Sequence, residues 1–212
     1  MPFSWPGFTA ALTPWFTNNA EDLYGAVDGQ SALGGSDGSE TARVIAGEYS
    51  IAINFGQTLL GNKYLGNAAG GGWNRKAMEA GFKAGFALQA GSPTDLGIAP
   101  YSLMAAGVLA SWTPPVKFLP VPPHPPGVQP NPAFAGTQTA CVSVMPGSPM
   151  PLAALIMQAF KSNNASAIAP LLVTAFKTHL STISGVYQPL IPNPAGAPPL
   201  IPGPPIPWVG VT

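Results

Sequence analysis

The chain has 212 residues, enough for one sizeable domain or two small ones. Only 8% are charged, against about 25% in an ordinary soluble domain, while 46% are hydrophobic and the net charge is zero. The Lys and Arg residues are scattered, which argues against a nucleic-acid binder, and so few charges suit a surface covered by neighbouring subunits.

Residues 1–20 hold Trp5, Phe8, Trp15 and Phe16 among prolines and read as an aromatic anchor with a short helix. Acids concentrate early (Glu21, Asp22, Asp28, Asp37, Glu40), and no acid follows Asp95, so the two ends are weakly opposite in sign. Head-to-tail contact between copies is one use of that asymmetry. Residues 29–38 read as a loop. Asp37 with Glu40 three residues on fits a capping box. Ile45, Tyr49, Ala52, Phe55 and Leu59 keep helical spacing and predict a helix over about 40–60, ended by Gly61 and Asn62. Residues 66–72 read as a glycine loop.

The rest of the chain reads as an internal duplication. Ala99-Pro100 opens an apolar helical stretch over about 101–111, and Ala169-Pro170 opens another over about 171–184. Proline suits a first helical turn, where its missing N–H has no partner in any case. Apolar segments at 78–88 and 152–160 precede each pair, and short polar turns at 91–95 and 162–164 join the partners into helical hairpins. Gly185 reads as a helix stop. After each hairpin comes a Pro-rich arm, with nine prolines in 114–132 and nine in 189–207. Such spacing forces extended or polyproline II backbone and excludes a central strand. The arms are rich in large apolar residues, unlike disordered tails, and are expected to dock. The chain thus divides into 1–72, 73–135 and 136–212. The expected fold class is mainly α with extended proline-rich arms and at most minor β.

Chemistry-bearing residues are sparse. His124 lies in a proline run and His179 in a helix, with no carboxylate near either in sequence. The lone Cys141 excludes an intrachain disulfide and reads as a small buried hydrophobe. No CxxC, HxxxH or acidic calcium loop is present. The run Gly70-Gly71-Gly72-Trp73-Asn74-Arg75-Lys76 lacks the Gly-Lys-Ser/Thr ending of a phosphate loop. No catalytic residue, cofactor or metal is expected. The start of the chain has neither a basic region nor an apolar run of signal-peptide type, and no stretch is a convincing membrane span.

The helix and arm Phe176-Lys177-Thr178-His179-Leu180-Ser181-Thr182-Ile183-Ser184-Gly185-Val186-Tyr187, closing on Pro207-Trp208-Val209-Gly210-Val211, resemble small virion proteins of tailed bacteriophages. Ala42-Arg43-Val44-Ile45-Ala46-Gly47-Glu48-Tyr49, with Gly61-Asn62 after it, is similar in the same way. The resemblance implies a structural subunit of a tail, baseplate, neck or capsid, assembled in the host cytoplasm. Its partners would be copies of itself and neighbouring virion proteins. Trp112, Phe118, Leu119, Tyr187, Leu190, Ile191, Ile201 and Trp208 are the expected contact residues, because aromatic and large apolar groups dominate interface energetics. Two alternatives remain from the residues alone: a cell-envelope or membrane-surface protein, and a small hydrolase using Cys141 or a histidine.

Overall fold

The computed structural model describes residues 3–19, 38–59, 63–92, 94–113, 116–119, 141–145, 149–187, 190–192, 200–202 and 204–212. It is mainly helical with minor strand, as expected from the sequence. The loop at 29–37, Asp37, His124 and the first arm over 120–140 lie outside the described residues.

The N-terminal helix α1 (Trp5–Asn18) starts on Pro6 and buries Trp5, Phe8, Leu12 and Phe16. Helix α2 (Ser39–Ile53) starts from Gly38, whose φ of 61° suits glycine. A Cβ there would come 2.2 Å from Phe86 Cβ, so glycine is required on two counts. Gly38 itself has no side chain to cap the helix, and Glu40 pairs with Arg43 on the exposed surface. The expected helix over 40–60 therefore ends early, at Ile53. Beyond it, Gln57 bridges to nearby Lys63 and Thr58 to Val211, far away in sequence, a pull that helical periodicity does not register.

Helices α3 (Arg75–Ala90) and α4 (Ala99–Trp112) form the first hairpin. Asn74 caps α3 by accepting from the Ala77 N–H at 3.2 Å, and Pro100 sits in the first turn of α4. The two backbones meet at glycines: a Cβ on Gly81 would lie 2.4 Å from Gly107 Cα. Helices α5 (Pro149–Phe160) and α6 (Ala165–Leu180) form the second hairpin. Here Ala169-Pro170 is not the helix start. Asn164 supplies it, accepting from Ser166 N–H and Oγ, and Pro170 lies inside α6. Gly185 is likewise no helix stop, since α6 ends at Leu180 and Gly185 belongs to a strand.

Among the described residues there are also seven short strands: β1 (Lys63–Tyr64), β2 (Lys117–Leu119), β3 (Cys141–Met145), β4 (Ser184–Tyr187), β5 (Leu190–Pro192), β6 (Leu200–Pro202) and β7 (Ile206–Val209). Five make an antiparallel sheet in the order β1-β2-β3-β4-β7, and β5 with β6 makes a separate ribbon. The first arm thus supplies an interior strand, contrary to expectation. It can do so because Lys117-Phe118-Leu119 is a proline-free window and keeps every ladder donor. Pro207 falls on the last strand of that order, facing Val186. The ladder then returns to its beginning. Thr58 bridges to Val211 just past β7, and Gln57 bridges to Lys63 of β1. Gln57 and Thr212 exchange two N–H to carbonyl bonds at 2.8 Å. Residues 57–58 therefore link the two ends of the ladder into a ring.

One hydrophobic cluster runs through residues of all three sequence segments. Its centre is aromatic. Tyr49 lies 5.0 Å from Phe176, 5.2 Å from Trp73 and 6.2 Å from Trp5, ring to ring. Its hydroxyl accepts from the Trp112 indole N–H at 3.2 Å. Burial pushes the Tyr49 phenol well above its ordinary range, so it stays neutral. Within the strand ring, Phe118 lies 5.8 Å from Tyr64 and 5.4 Å from Trp208.

Candidate interaction surface

Three of the expected contact residues are used inside the chain. Trp112, Phe118 and Trp208 are buried, the first bonded to Tyr49 and the other two packed on each other. Their surfaces face this chain's own core and are not outward anchors. The reason is visible in the pairing: strand alternation around Trp208 sends Pro207 and Val209 to the opposite face, and both are exposed. Leu119 lies on β2, Tyr187 at the end of β4, and Leu190, Ile191 and Ile201 on the ribbon, where Ile191 pairs with Ile201. Strand pairing brings Tyr187 opposite Ile206 of the same hairpin.

Among the residues whose side chains are described, other large apolar groups reach solvent. Leu59 is 68% exposed, Val209 56%, Met150 56% and Ile51 55%, with Phe55 and Val186 above 40%. Ile51 and Phe55 stand one turn apart on α2 and its C-terminal extension, away from its buried stripe of Ala42, Ile45, Tyr49 and Ala52. Val186 and Val209 share the outer face of the β4–β7 pair, since their cross-strand partners are Pro207 and Ser184. Sequence reading passed over these positions because it ranked residues by size, whereas period-2 alternation away from Trp208 marks Val209 directly.

A groove of about 640 Å³ opens beside them. Phe3, Trp5 and Pro6 form one wall, Lys177 and Ser181 at the end of α6 another, and Leu59 with residues 209–212 the third. The walls are held by specific bonds. Gly210 N–H donates to Ile183 O at 2.7 Å and Val211 N–H to Leu180 O at 3.0 Å, which pins the last strand beneath α6. Gly210 has φ 87°, and a Cβ there would press on Leu59 at 3.1 Å. Phe3 stacks on Trp5 at 4.9 Å, fixing the opposite wall. Lys177 is exposed.

Among the described residues, no three His, Cys, Asp or Glu side chains stand together as a metal site. No described helix is long and apolar enough to cross a membrane. His179 is buried on α6, and Cys141 opens β3 opposite Phe118. The groove's lining is mainly apolar. Compared with protein-family models, curated proteins and solved structures, the chain matches none.

Proposed function

We propose that the chain is a non-catalytic structural subunit of a large protein assembly, a virion component of a tailed bacteriophage. The observation that carries this reading is the pairing of 8% charged residues with large apolar residues left open to solvent at Leu59, Val209, Ile51 and Met150. Exposed apolar surface marks an interaction site, and a low charge count does little to keep copies apart. The resemblance of the α6 segment and its arm to small phage virion proteins supplies the class of assembly. Contacts are made by this outer apolar surface and by the ribbon, while Trp112, Phe118 and Trp208 act indirectly by holding the frame.

The test is immunogold electron microscopy of intact particles, using antibody raised against the purified chain. Label at one recurrent position on each particle is the expected result. A chain that is expressed during infection yet leaves purified particles unlabelled, and yields no peptides from them by mass spectrometry, would sink the virion reading.

A further inference from the structure

We draw no further inference here: the strongest candidate, the apolar groove walled by Phe3 and Trp5, the end of α6 and residues 209–212, is an unpartnered face and nothing in the structure shows what covers it, since its one described cation, Lys177, lies in the last turn of α6, where it already offsets the helix dipole and so points to no particular occupant.

Discussion

Two buried tyrosines show how one hydroxyl can carry opposite consequences. Tyr49 and Tyr101 are both fully buried. The Tyr49 hydroxyl takes the Trp112 indole N–H at 3.2 Å, across 63 residues of sequence, and so ties α2 to the end of α4. The Tyr101 hydroxyl has no hydrogen-bond partner among the described residues. Tyr49→Phe strands a buried indole donor and should cost about 1–3 kcal/mol. Tyr101→Phe removes an unsatisfied group and should be neutral or stabilising by about 1 kcal/mol. Urea unfolding of the two variants beside the parent chain checks both signs. Equal losses would mean that the Trp112 contact contributes nothing beyond packing.

At the scale of elements, the α3–α4 hairpin depends on the absence of side chains. Gly81 and Gly107 face each other, and a Cβ at Gly81 would lie 2.4 Å from Gly107 Cα and 2.8 Å from Leu103 O. Both obstacles are backbone and cannot turn aside. Gly47 on α2 is a useful contrast, because a Cβ there meets only the Arg75 guanidinium at 3.2 Å, the far end of a flexible chain. Alanine is favoured over glycine inside a helix by about 1 kcal/mol. Gly47→Ala should therefore raise the melting temperature. Gly81→Ala should lower it, since overpacking costs about 1–3 kcal/mol and exceeds the propensity gain. The two hairpins also bear on the duplication. Shifted by 72 residues, Phe118 of β2 meets Leu190 of β5, yet β2 is interior to the five-stranded sheet and β5 belongs to the ribbon. Matching positions in the two units thus occupy different sheets.

For the molecule as a whole, the last three residues act as a clasp. Gly210, Val211 and Thr212 bond to Ile183, Leu180 and Gln57, and Val211 is buried. Removing residues 210–212 opens the strand ring. The loss of one buried valine and several backbone bonds comes to about 3–6 kcal/mol, a large share of a typical domain's 5–15 kcal/mol. Hydrogen exchange in the shortened chain should quicken at residues 57–59 and Tyr64 while the Gly81–Gly107 contact region stays protected. Uniform exchange unchanged from the parent would make the C-terminal strand a passive tail.

Local sequence determined the helical hairpins and the start of α4, while both ends of α6 fall elsewhere than expected. Pro100 at the start of α4, the turn at 162–164 and the apolar spacing of α3, α5 and α6 act over a few residues, and the structure keeps them. It also determined the charge-poor character on which the assembly reading stands. Only tertiary structure decided where α2 stops, because residues 57–58 are claimed by Lys63 and Val211. Only tertiary structure decided that Trp112, Phe118 and Trp208 turn inward while Leu59 and Val209 face solvent. Size and hydrophobicity rank a residue for burial, but which side of a short strand is covered depends on pairing register with segments up to 155 residues away. That register is a property of the closed ring and is written in no local stretch of the chain.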